Sequence, residues 1–243
     1  MSAGFSRNDV QGNILRGIAA ALCATSSSRS PTAATRKLFG VSVAGGNADF
    51  PGITSEAPWR EKPTVCFNIG LTFEGLRAPG TPGESLAPFP IEFVEGMTGR
   101  VLKLGDFRSS APANWPAPFD KPARVQMIAS MYADDEKHLE GVESQVARAF
   151  TVLGVRKGRN LAGGKVFFGF ADNISQPRLA ELRDPDTEKV DEPIDPLGTA
   201  LLGYRTRIEK LRSRMPTPEV LGHNGSFNAF RILKRDAAGF NAS

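Results

Sequence analysis

The chain has 243 residues, of which 40% are hydrophobic and 23% charged, with a formal net charge of +4. That length accommodates one large or two small domains with a sizeable core, and the composition is that of an ordinary globular protein. Two cysteines, Cys23 and Cys66, are too few for a disulfide framework, and neither stands in a Cys-x-x-Cys zinc or redox pair.

In chain order, residues 1–17 contain a Gln11-Gly12-Asn13 stretch that reads locally as a turn. Ile18 to Ala24 is a short apolar patch. It is far below the roughly 18 residues needed to cross a bilayer, and Asp9 before it argues against a signal segment, so the default is a soluble, cytoplasmic chain with no membrane partner. Residues 24–58 are rich in Ser, Thr, Ala, Gly and Pro and read as loop, with Leu38–Val43 as the one strand-like island. Val65, Phe67, Ile69, Leu71 and Phe73 then alternate with Cys66, Asn68, Gly70 and Thr72, which predicts a strand with one buried face. Phe89, Phe93, Val94 and Met97 fall at helical spacing, with Pro90 early in that helix. A proline-rich loop over 109–122 leads to a strand at 125–131. Asp134 is the predicted N-cap of a helix whose stripe is Leu139, Val142, Val146 and Phe150, with Asp135 and Glu136 in the first turn. A third strand is expected at 165–170, charged loops over 180–222, and a last strand at 226–233. Strands separated by helices without a dinucleotide fingerprint predict an α+β antiparallel sheet with helices on one face.

The chemistry concentrates at Gly169-Phe170-Ala171-Asp172-Asn173-Ile174-Ser175-Gln176-Pro177. Asp172 and Asn173 break an apolar run, which is the behaviour of an Asx-turn at a strand end. It also sets one carboxylate at the mouth of an apolar layer, where its ionisation can be tuned for acid/base work.

This stretch resembles the signature of the dye-decolourising peroxidases, a haem enzyme family whose motif reads Gly-x-x-Asp-Gly, usually followed by x-Ser-Gln-Pro. Further segments agree in order: Asp9–Gly17, Trp59–Pro63, Phe67–Arg77, Phe89–Met97, Leu104-Gly105-Asp106, Leu202-Gly203-Tyr204 and Asn224-Gly225-Ser226-Phe227. The likeness runs from about residue 8 to the end, with a gap near 18–55. It implies a ferredoxin-like domain over 1–178 (18–58 divergent), a charged loop region over 179–222, and the first strand of a truncated second ferredoxin-like domain over 223–243. It also implies heme b, hydrogen peroxide and a bulky organic reductant as partners, and Asp172 as the catalytic acid/base. Asn173, Ile174, Ser175 and Gln176 are then haem-adjacent.

Two departures bear on activity. Asn173 stands where the motif has Gly, and the family's proximal His and distal Arg belong to sequence beyond this chain. Of the two histidines, His138 lies on a solvated helical turn. His223 is left as the candidate axial ligand, and a lone histidine is a weak motif. Heme is therefore not expected to be retained by this chain alone, and no other metal site is read.

Other motifs give little. Ala162-Gly163-Gly164-Lys165 lacks the glycine spacing and the Ser/Thr of a phosphate loop. The acidic set Asp184, Asp186, Glu188, Asp191, Glu192 and Asp195 has no calcium-loop spacing. The basic run Arg205, Arg207, Lys210, Arg212 and Arg214 carries no interleaved aromatics, so no nucleic-acid partner is expected. Two functions remain: a haem peroxidase whose iron ligand comes from elsewhere, and a haem-free structural or assembly domain. An apolar strand at 226–233 with no neighbours also predicts self-association through an open edge.

Overall fold

The structure, a computed structural model, describes residues 5–15, 21–25, 44–158, 165, 168–171, 178–182, 194–208 and 211–242, with 21–25 described as backbone only. Four strands, β1 (Ala21–Thr25), β2 (Val65–Leu71), β3 (Met127–Ala133) and β4 (Val152–Arg156), form one sheet in the order β2-β3-β1-β4. Every pairing is antiparallel, with Cys23 opposite Ala129 on one side and Val155 on the other. This order, with crossovers from β1 to β2 and from β3 to β4, is the split βαβ arrangement of a ferredoxin-like sheet.

Among the described residues, five helices, α1 (Gly12–Leu15), α2 (Phe73–Arg77), α3 (Gly83–Leu86), α4 (Ile91–Gly99) and α5 (Val101–Leu104), precede β3. The long helix α6 (Glu136–Ala149) joins β3 to β4, and α7 (Ala237–Ala242) closes the described chain. Alternation on β3 turns Met127, Ala129 and Met131 to one face, and the 3.6-residue period of α6 sets Val142 and Val146 against them. Phe67 from β2 and Phe50 complete this core, and Phe50 meets Phe67 edge-on and Phe150 at a tilt. Phe50 is fully buried within a stretch that composition marks only as loop. A lone aromatic among turn residues gives no periodic signal, so its burial is not legible locally.

β2 is an edge strand, and an open edge invites foreign pairing. Here side chains close it. The Gln11 amide donates to Ile69 O and accepts from Ile69 N, each at 2.9 Å. Thr54 accepts from Phe67 N through its hydroxyl, while its own N–H donates to Phe67 O. The expected Gln11-Gly12-Asn13 turn is instead the start of α1, and the Gln11 side chain together with Thr54 stands in for a strand partner.

Several expectations are corrected. β1 lies where only a short apolar patch is visible in the sequence, because a central strand needs no alternation. β4 has Gly154 at its centre, which hides its pattern. The N-cap of α6 is Asp135, which accepts from His138 N at 2.8 Å. Asp134 is still tied to the end of β2 through its N–H to Thr64 O, and its carboxylate meets Lys62. α4 breaks at Gly96, whose φ is 60°. The strand expected at 165–170 is, among the described residues, a single bridge from Lys165 to Ala171 around a turn. No strand forms at 226–233. The island at 38–43 lies outside the described residues.

Candidate functional site

Phe168 and Gly169 make the turn that opens the motif, and Gly169 holds a left-handed φ of 89° that side-chain-bearing residues rarely adopt. Two aromatics beside it are gathered by the end of the chain. Phe240 on α7 lies 4.9 Å from Phe168 and 5.9 Å from Phe170 between ring centroids, and the Arg235 guanidinium sits 5.9 Å over Phe168. Asp172, Asn173, Ile174, Ser175 and Gln176, the residues on which the acid/base and haem-adjacent roles rest, lie outside the described residues.

Three of the resembling segments do come together. Asn224 is buried with φ 61°, its amide donates to Asp9 Oδ2 at 2.6 Å, and its carbonyl oxygen accepts from the Tyr204 hydroxyl at 2.7 Å. Leu202 and Asn224–Gly225 exchange backbone hydrogen bonds beside it. A buried amide with both ends satisfied fixes one geometry, so this clamp ties residue 9 to residue 224. Beneath it, Val10, Leu179, Leu197 and Leu201 form a second apolar cluster. Burial, then the nearby Asp9 carboxylate, push the Tyr204 hydroxyl above its ordinary range.

His223 belongs to this clamp. Its ring stacks on Tyr204 at 5.2 Å, with Nε2 3.4 Å from the Tyr204 hydroxyl. A Cβ on Gly203 would lie 2.3 Å from His223 Nδ1, so only glycine lets the ring rest there. His138 bonds Asp135 through Nδ1 at 2.8 Å on the exposed first turn of α6. That proton network, led by the His138 backbone N–H, holds the Asp135 carboxyl below its usual range. Both histidines of the chain are thus engaged, and no cluster of three metal-ligating side chains exists among the described residues. His223 has Nε2 at the Tyr204 hydroxyl and Nδ1 packed against Gly203, and His138 keeps Nε2 clear only on an exposed helical turn, so the described residues do not by themselves fit an iron porphyrin.

A second long-range tie joins Leu104-Gly105-Asp106 to the chain's end. Arg231 forms an ion pair with buried Asp106, Phe227 packs on Phe89 and Phe93, and Phe230 packs on Phe119. Sequence reasoning missed the pairings Asp9–Asn224 and Asp106–Arg231, since nothing local marks partners 215 and 125 residues apart.

An antiparallel ferredoxin-like sheet with helices and long side-chain ties defines the architecture as α+β. Its likeness is to the dye-decolourising peroxidases. One solved relative, a dye-decolorizing peroxidase in complex with 2,6-dimethoxyphenol, is 22% identical with a TM-score of 0.66, over 86% of this chain and 46% of that one. A fungal DyP-type peroxidase from Auricularia auricula-judae is 21% identical with a TM-score of 0.59, over 86% and 45%. A dye-decolorizing peroxidase engineered in its heme pocket for asymmetric sulfoxidation is 18% identical with a TM-score of 0.61, over 86% and 45%. The fold is shared with these proteins, and the chain spans less than half of their length. No protein-family model matches the sequence, and no curated protein matches it. No described helix is long and apolar enough to cross a membrane.

Proposed function

We propose that this chain forms one part of a dye-decolourising-type haem peroxidase, in which Asp172 moves a proton on hydrogen peroxide and a bulky organic molecule is the reductant. The observation that carries this reading is the shared fold over 86% of the chain, taken with the Asp172 motif that follows the Phe168–Gly169 turn. Haem b is the cofactor the resemblance implies. Its iron ligand would come from outside the described residues, because both ring nitrogens of His223 are covered by Tyr204 and Gly203 and His138 stands on an exposed turn of α6. Asn173 stands where the family motif has Gly.

A second reading has its own observation. With His223 packed between Tyr204 and Gly203 and His138 on an exposed turn, this chain alone is a folded, haem-free domain that serves in assembly. The two readings differ in what the protein carries in its native setting. Purified from its source, at the length and with the companions it has there, the peroxidase reading expects bound haem and peroxide-dependent oxidation of an organic dye. Asp172→Asn is then expected to slow that oxidation by about 10²–10⁴-fold, the usual worth of a positioned acid/base. A native preparation without haem overturns the peroxidase reading and leaves the assembly domain.

A further inference from the structure

Asn224-Gly225 is the one Asn-Gly pair in the chain, and its asparagine is buried inside the clamp. The pair carries a chemistry of its own. With no Cβ on Gly225 to crowd the approach, the Gly225 amide nitrogen can close on Asn224 Cγ as a five-membered imide. The Gly225 N–H proton passes to Nδ2, the Cγ–Nδ2 bond breaks, and ammonia departs. Water then opens the imide at either carbonyl, giving aspartate or, with the main chain rerouted through the side chain, isoaspartate. One water is consumed and one ammonia released, and nothing is oxidised or reduced. In the folded protein each participant is held. Asn224 Nδ2 donates to Asp9 at 2.6 Å, its Oδ1 accepts from Tyr204 at 2.7 Å, and Gly225 N–H donates to Gly222 O at 2.9 Å. Attack makes Cγ tetrahedral, which takes the planar amide out of line with both partners and the Gly225 nitrogen away from Gly222. A buried network satisfied at both ends gives up these bonds only when it opens.

We propose that Asn224 is a guarded deamidation site: inert while the clamp is closed, converted when it opens, and barred from closing again by its own product. The bar is electrostatic. Aspartate tolerates the left-handed φ of 61° as asparagine does, so the backbone does not exclude it. The new carboxylate, however, has no proton to offer Asp9 Oδ2, and two negative groups would meet at hydrogen-bond distance in a buried place. Isoaspartate also lengthens the main chain by one atom, which displaces Gly225 from its bond with Leu202. A chain whose residues 9 and 224 have come apart thus acquires a permanent covalent mark, whether or not haem is present.

The test holds the whole 243-residue chain at mildly alkaline pH, folded in one arm and unfolded in urea in the other. Peptide mass spectrometry reads the conversion of Asn224, with isoaspartate scored separately. The folded chain is expected to convert slower by about tenfold or more, since only its open fraction reacts. Asp9→Ala and Tyr204→Phe each remove one guard. With near-ultraviolet circular dichroism confirming their fold, both are expected to convert faster than Asp135→Ala, which loses a cap far from the clamp. Asn224→Asp writes the product directly and is expected to lower the urea midpoint. Asp9→Asn in that same chain swaps amide and carboxylate across the tie and is expected to restore most of the loss. If Asn224→Asp does not fold, the swapped chain decides, its folding supporting the proposal and its failure overturning it. A folded wild type that converts as fast as the unfolded chain also overturns it. So does Asp9→Ala converting no faster than Asp135→Ala, or Asn224→Asp holding the wild-type midpoint.

Discussion

The sheet and the described chain from Arg178 onward are held together by different physics. Around β2, β3 and α6, backbone ladders and one apolar core of Phe50, Phe67, Met127, Met131, Val142 and Val146 share the load. From Arg178 onward the described chain has only short 3-10 turns, isolated bridges and one terminal helix. There, order comes from a few side chains reaching across long sequence distances: Asn224 to Asp9, Arg231 to Asp106, Phe240 to Phe168. A ladder spreads its stability over many small contributions, whereas a clamp concentrates it in one or two groups. Single substitutions are therefore expected to act differently in the two regions.

The largest effect is expected in the core. Phe50→Ala leaves a cavity bordered by Phe67 and Phe150 and costs about 3–5 kcal/mol, the range for large aromatic truncations. Denaturant unfolding should show one transition moved to lower midpoint with little change in slope. If Phe50→Ala costs no more than a surface change, the loop carrying it is not part of the sheet core. Arg231→Ala comes next. It strands the buried Asp106 carboxylate, at about 1–3 kcal/mol for an unsatisfied buried group, since Arg231 itself is half exposed. Limited proteolysis should quicken over 226–236 while β2 and β3 keep their amide-exchange protection, and equal loosening of both regions would refute the division. Arg231→Ala paired with Asp106→Asn should recover part of the loss.

Tyr204→Phe is expected to cost less, about 0.5–1.5 kcal/mol for one hydrogen bond. Its pH signature is specific. Burial and Asp9 raise the Tyr204 pKa in the folded protein, so the folded state keeps a proton that the unfolded chain releases near pH 10. The stabilisation is present below that pH and is lost as pH rises above it. The wild type should weaken there more steeply than Tyr204→Phe, and identical alkaline profiles would break the clamp assignment. The smallest effect is expected at the exposed N-cap Asp135. Its pKa is lowered first by the His138 N–H, so its contribution is present above the ordinary aspartate range and fades as pH falls below about 4. Asp135→Ala should remove that acid-side slope and, at neutral pH, the modest stabilisation the cap supplies.

What was legible in the sequence follows the same division. β2 and α6 carry clean periods of 2 and 3.6, so Phe67 and Val146 could be placed in the core from spacing alone. β1 and Phe50 could not, because a central strand and a lone buried ring leave no periodic trace. At the clamps, the motifs Gln11-Gly12, Leu104-Gly105-Asp106, Leu202-Gly203-Tyr204 and Asn224-Gly225 were visible as words without their meanings. Their reasons are tertiary: an amide capping Ile69, a carboxylate awaiting Arg231, a glycine beneath the His223 ring. The strand read at 226–233 has the right sequence and no ladder, since pairing needs a neighbour that no local pattern can supply.

Haem binding tests the account most directly. The purified 243-residue chain, mixed with an excess of ferric haem and passed through gel filtration, is expected to emerge without a stoichiometric Soret band, because His223 is covered by Tyr204 and Gly203 at its two ring nitrogens and His138 stands on an exposed turn. A sharp Soret band that survives the column and disappears in His223→Ala would contradict it, and would make His223 the iron ligand.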